Sequence, residues 1–114
     1  MAGAVCYWAC TSLKQRLGYD DSLDVFGVHG IGGMTGTLLA GVFATSAIGG
    51  TAGLIEGHPQ QMLIQLYGIA VTLVWSGGVT YVLLKLVSAF VPLRVSLQQE
   101  LEGLDISQHG EALQ

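Results

Sequence analysis

The chain has 114 residues, of which 51% are hydrophobic and 11% are charged, and its formal net charge is −4. Soluble domains carry about 25% charged residues, so this composition indicates an environment other than water. The acidic balance also argues against a nucleic-acid-binding protein, because binding to phosphates requires a basic surface.

Two long stretches of the chain contain no Asp, Glu, Lys or Arg. One lies between Asp24 and Glu56, and the other lies between Glu56 and Lys85. A helix needs about 20 apolar residues to cross the hydrocarbon layer of a membrane, and both stretches exceed that length. A soluble chain this short could not cover two such helices with polar surface. We therefore predict an all-α integral membrane protein.

The pattern predicts six segments in chain order. Asp24 is placed to cap the first complete span with its carboxylate, and Pro92 marks the end of the second. The segments are the end of a truncated transmembrane helix (1–13), a cytoplasmic loop (14–24), a transmembrane helix (25–47), an extracytoplasmic loop (48–61), the last transmembrane helix (62–91) and a cytoplasmic tail (92–114).

Basic residues lie on one side of this hairpin. Lys14 and Arg16 precede the first complete span, Lys85 and Arg94 lie at the end of the second, and the connecting loop 48–61 has neither Lys nor Arg. Short cytoplasmic loops are enriched in these two residue types. We therefore expect both ends of the hairpin, and so the C-terminus, to face the cytoplasm.

The first complete span is crowded with small residues, and a histidine lies among them. From His29, Gly32 and Gly33 are at i+3 and i+4, Gly36 is at i+7 and Ala40 is at i+11, which predicts one stripe along an α-helix. Small residues at such spacing let helices approach closely, so packing alone is one interpretation. An ionisable group inside a span usually faces the bundle interior or a pathway. We therefore interpret His29 as functional.

The other residues that could carry chemistry give weaker signals. His58 lies in the outer loop, and His109 with Glu111 in the tail is too small a set to indicate a metal site. Cys6 and Cys10 are four residues apart on one helix, too far for an unstrained disulfide, and we interpret them as small packing residues. We expect no metal, no other cofactor and no enzymatic activity.

Four motifs, in order, resemble the ammonium transporter family (Amt/Mep/Rh). Residues 24–30 read Asp-Val-Phe-Gly-Val-His-Gly and resemble the late pore-helix motif of that family, and residues 13–23 resemble the cytoplasmic loop before it. Val-Trp-Ser-Gly at 74–77 resembles the last span, and residues 102–111 resemble the tail of bacterial members. Together the motifs cover nearly the whole chain.

The resemblance implies a role for individual residues. His29 matches the second of the paired pore histidines of the family, and Val25 matches an apolar pore-lining position one turn earlier. The family implies a homotrimer in membrane lipid, with eleven spans and one ammonium or ammonia pore per protomer. This chain then holds the end of the ninth helix and the last two helices. The residues that match the frame of the motif are Asp24, Gly30, Gly32, Gly33 and Gly36.

The acidic tail carries a short apolar stripe. Leu97, Leu101 and Leu104 recur at i, i+4 and i+7, and Gly103 is expected to end that turn. A solvated helix end is one interpretation. The family resemblance implies instead packing on the cytoplasmic face and docking of a nitrogen-signalling PII protein. The residues assigned to this regulatory tail are Gly103, Leu104, Asp105, His109, Gly110 and Glu111.

The chain departs from the family in lacking the earlier spans. The first pore histidine, the outer ammonium-binding vestibule and the aromatic gate belong to those spans. We therefore expect a C-terminal fragment that is inactive alone, from a protein that transports ammonium across the cytoplasmic membrane. Three alternatives remain: an ammonium sensor with an attached signalling domain, an Rh-like gas channel, and a small structural protein with two spans.

Overall fold

The computed structural model of the chain describes residues 1–110, and every regular element in that range is helical. Two of the helices are long and apolar enough to cross a membrane, with 18 and 29 residues. In chain order the elements are α1 (Ala2–Trp8, Ala9–Leu13 and Lys14–Leu17), α2 (Phe26–Ile31 and Gly32–Phe43), α3 (Ser46–Gly49), a 3-10 turn (Leu54–Glu56), α4 (Gln60–Ser88), α5 (Leu97–Glu102) and a final π-helical turn (Asp105–His109).

The helix ends differ by a few residues from the predicted segment boundaries. Helix α1 continues beyond residue 13 into the predicted loop and stops at Gly18, which has a left-handed φ of 63°. Helix α2 ends at Phe43 rather than at residue 47, because Ala44 turns to a ψ of 135°. The carbonyl of Ala44 then accepts a hydrogen bond from the amide of Gly53 at 2.8 Å. A contact across the loop therefore decides where α2 stops.

The cap of α2 was predicted wrongly. Asp24 has a φ of 54°, and its carboxylate pairs with the Nζ of Lys14 at 2.7 Å instead of capping the helix. The amides of Val25 and Phe26 donate to the two carboxylate oxygens of Asp21, at 2.8 and 2.9 Å. Asp21 reaches these amides because the chain turns at Asp24, whose amide donates to the carbonyl of Asp21.

The compact unit formed by residues 1–73 packs α1 against α2 through glycines and cysteines. A Cβ on Gly32 would lie 2.8 Å from the Sγ of Cys6, and one on Gly27 would overlap the Sγ of Cys10. Ala9, between the two cysteines in sequence, is fully buried. Both cysteines are free thiols. Their interpretation as small packing residues is confirmed, and the small residues of α2 allow the close approach.

The unit that begins at residue 74 contains the second part of α4, then α5 and the tail. Helix α5 begins with a capping box, in which the Oγ of Ser96 accepts from the amide of Gln99 and the side chain of Gln99 accepts from the amide of Ser96. The Ser-x-x-Gln pattern of residues 96–99 is the sequence signature of such a cap. Gly103, with a φ of 100°, ends α5 as predicted.

Candidate functional site around His29

A cavity of about 480 Å³ lies beside His29, within the unit of residues 1–73. Helix α2 forms one wall and the first part of α4 forms the other. The lining residues are His29, Gly30, Gly33, Met34, Thr37, Gly68, Ile69, Thr72 and Leu73. The sequence analysis grouped His29 with Gly33 on one face and gave Gly30 only as part of the family motif, and it missed every contribution from α4.

The lining is mostly apolar and carries few polar groups. Among the described residues, its hydrogen-bonding side chains are the imidazole of His29 and the hydroxyls of Thr37 and Thr72. No Asp, Glu, Lys or Arg is among the lining residues. The described lining therefore offers hydrogen bonds, but no charged side chain, to a molecule in the cavity.

The predicted stripe of small residues is split between two faces. Gly33 lines the cavity with His29, whereas Gly32 contacts Cys6 on α1 and a Cβ on Gly36 would meet no atom of the described residues within 4 Å. His29 lies in the π-helical turn Phe26–Ile31. The α-helical part Gly32–Phe43 follows this turn directly.

Two other predicted site residues do not line the cavity. Val25 is half-exposed at the start of α2, where its amide is bound by Asp21, and its assignment to a pore stays a prediction. Asp24 belongs to the connection between α1 and α2. A signal for the missed wall existed in the sequence, because Gly68 and Thr72 are four residues apart on one face of α4.

The imidazole of His29 is exposed. Helices α1, α2 and α4 of this chain therefore place it beside a cavity without enclosing it. The expectation that His29 lies in a dry pore stays a prediction, since burial from the other side is not provided by the described residues.

The start of α2 is surrounded by charged and aromatic side chains. The hydrogen bond from Lys14 to Asp24 raises the pKa of the Lys14 ammonium. Burial of the Tyr19 hydroxyl, together with the negative charge of Asp21, raises the pKa of Tyr19. The Tyr19 ring meets the Phe26 ring edge to face, with centroids 5.6 Å apart. This cluster fixes the end of α2 nearest to His29.

The predicted regulatory tail is only partly described. The stripe of Leu97, Leu101 and Leu104 is exposed. Within the tail itself, the Oγ of Ser107 donates to the carbonyl of Gly103 at 2.8 Å. Asp105 and His109 bound the final π-helical turn, and Gly110 follows with a φ of 69°. Glu111 lies outside the described residues.

The two long apolar helices, with a histidine-lined cavity beside them, are features of an α-helical membrane protein. Residues 1–113 match the family model described as the Ammonium Transporter Family, and the chain belongs to that family of membrane transporters. It is 46% identical over 113 residues to an ammonium transporter of Bacillus subtilis (strain 168), covering 97% of this chain and 28% of the relative.

Two further relatives agree with this assignment. An ammonium transporter of Aquifex aeolicus (strain VF5) is 48% identical over 111 residues, which cover 97% of this chain and 26% of that protein. An ammonium transporter of Archaeoglobus fulgidus is 45% identical over 112 residues, which cover 97% of this chain and 28% of that protein. The chain therefore spans about a quarter of the length of the curated relatives it matches.

Proposed function

We propose that this chain forms part of a protein that transports ammonium or ammonia across the cytoplasmic membrane, with His29 in the transport pathway. The observation that carries the proposal is the cavity beside His29, which has hydrogen-bonding groups but no Asp, Glu, Lys or Arg in its lining. Named ammonium transporters at 46% and 48% identity support the choice of substrate.

The chemistry of the cavity favours transfer of ammonia and a proton by separate steps. A bare ammonium ion loses a large hydration free energy in an apolar pore, and no carboxylate lines this cavity to replace it. Ammonia is small and neutral, so its desolvation costs less. An imidazole changes protonation near neutral pH and can accept or return the proton. In this scheme His29 relays the proton, and the hydroxyls of Thr37 and Thr72 offer hydrogen bonds to the neutral molecule.

The assembly follows from the family resemblance. We propose a homotrimer of eleven-span protomers, in which a second histidine from an earlier span pairs with His29. The C-terminus lies in the cytoplasm, and the tail from Gly103 onward packs on the cytoplasmic face and binds a PII protein. Residues 1–114 alone do not transport, because the opposite wall of the pore comes from elsewhere in the assembly.

The test replaces His29 by alanine in the full-length protein that contains this chain. Removing the imidazole takes away the proton relay and leaves space that water can fill. We expect either the loss of the ammonium-driven current in a reconstituted membrane or the appearance of a potassium current. His58→Ala is the matched control, since His58 is an exposed histidine outside the cavity.

The outcome that contradicts the proposal is a His29→Ala protein that folds and assembles normally and keeps its ammonium current and its selectivity over potassium. His29 would then be a packing residue of α2.

A further inference from the structure

The connection between α1 and α2 holds the backbone in two uncommon conformations, one directly after the other. Asp24 has a left-handed φ of 54°, a conformation that glycine adopts routinely and Asp only occasionally. The π-helical turn Phe26–Ile31, which carries His29, follows at once. Single π-helical turns are uncommon in proteins and are frequent at functional sites. Such a backbone persists only when its surroundings hold it.

A set of three charged residues, which we call the clasp, holds this backbone: Lys14, Asp21 and Asp24. The Nζ of Lys14 donates to the Oδ1 of Asp24 at 2.7 Å and to the carbonyl oxygen of Asp21. The carboxylate of Asp21 accepts from the first two amides of α2. One ammonium group at the end of α1 therefore fixes both the turn at Asp24 and the residue that caps α2.

The clasp is linked through α2 to the two residues that flank His29. The carbonyl of Asp24 accepts from the amide of Val28 at 2.9 Å, one residue before His29. The ring of Phe26, whose amide Asp21 binds, lies where a Cβ on Gly30 would meet its Cδ2 at 2.9 Å. Gly30 lines the cavity. We therefore expect a displacement of the clasp to move the turn that presents the imidazole.

We propose that Lys14 is a positioning residue, which acts through Asp21 and Asp24 to set where the π-helical turn begins and so how His29 faces the cavity. The predicted effect on transport rests on the proposed function. The predicted effect on the turn itself does not.

The test is Lys14→Met in the full-length protein, with two measurements. The first is the ammonium current as a function of pH. We expect the current to fall about tenfold or more, since misplacement by about 1 Å is enough for such a loss, and its pH midpoint to shift, because the imidazole has new surroundings. The second is hydrogen exchange at the amides of Val25, Phe26 and Val28. We expect exchange faster by about tenfold, the effect of losing one charge-assisted hydrogen bond.

Two control variants separate positioning from charge and from folding. Arg16→Met removes the same charge from the same end of α1, and Arg16 is exposed, so we expect an unchanged pH midpoint and unchanged exchange. Lys14→Arg keeps a cation within reach of Asp24, so its pH midpoint and its amide exchange rates should be those of the wild type. If Lys14→Met does not fold, Asp21→Asn weakens the cap of α2 while keeping a hydrogen-bond acceptor, and it should shift the pH midpoint in the same direction.

The outcomes distinguish the positioning role of Lys14 from the proposed transport function. An unshifted pH midpoint in a folded Lys14→Met protein, or an equal shift in Arg16→Met, overturns the positioning role. If the wild-type protein carries no ammonium current, the proposed function fails. Amide exchange alone then decides whether Lys14 positions the turn, and unchanged exchange rejects it.

Discussion

The two ends of α2 are held by different physical means. At its start, an ammonium and two carboxylates bind the backbone through the clasp of Lys14, Asp21 and Asp24. At its other end, the backbone of Gly53 packs directly against the backbone of α2. A Cβ on Gly53 would lie 2.8 Å from the carbonyl oxygens of both Gly41 and Ala44.

The difference predicts how each end responds to change. Charged side chains on flexible stems adjust to a substitution, and their effect depends on which charge is removed. Two backbones in contact cannot separate without moving a helix, because interiors are close-packed. We therefore expect the end of α2 at Gly53 to be the less tolerant of substitution. At the end near Lys14, we expect the effect of a substitution to depend on which charge it removes.

The largest effect is expected for Gly53→Ala. The new methyl group would overlap backbone atoms of Gly41 and Ala44, and overpacking of this kind costs about 1–3 kcal/mol. We expect the thermal unfolding midpoint of the full-length protein in detergent to fall by several degrees. Gly49→Ala is the matched control, since a Cβ there meets no described atom within 4 Å. Equal midpoints for the two variants would show that the backbone contact at Gly53 is not rigid.

A smaller effect is expected for Gly41→Ala. A Cβ on Gly41 would lie 2.8 Å from the Cγ of Gln65 and 3.0 Å from the Sδ of Met62. Both are atoms of long side chains that can change rotamer, so the cost should stay below about 1.5 kcal/mol. The same unfolding experiment should place Gly41→Ala between wild type and Gly53→Ala. A midpoint below that of Gly53→Ala would reverse the proposed order of rigidity.

The smallest expected effect is the change with pH in the stability that Lys14 contributes at the start of α2. The pKa of Lys14 is raised by its hydrogen bond to Asp24. A group with a raised folded pKa stabilises fully below its unfolded value, about 10.4 for Lys, and loses this contribution as pH rises through the folded value. The stability difference between wild type and Lys14→Met should therefore be constant from about pH 6 to about pH 9. A difference that shrinks across this range would show that the ammonium is not what holds the clasp.

Local signals were sufficient for some of these features and not for others. The sequence indicated the helical, membrane-spanning character of α2 and α4 and the end of α5 at Gly103. It misassigned the cap of α2, because Asp24 stands directly before the helix whereas Asp21 reaches the amides only after the chain turns. It also grouped Gly32 with His29, whereas Gly32 lies against Cys6 of α1.

By itself, the sequence of this protein determined that its long helices need an apolar environment and which residues could carry chemistry. Hydrophobic length, charge-free stretches and an isolated histidine are properties of the covalent chain. Tertiary structure decided which glycines line the cavity beside His29 and which contact α1, and it supplied the wall formed by Gly68 and Thr72 of α4. The physical reason is that Gly32 and Cys6, and likewise the two walls of the cavity, belong to segments distant in sequence, and no local pattern of residues encodes their contact.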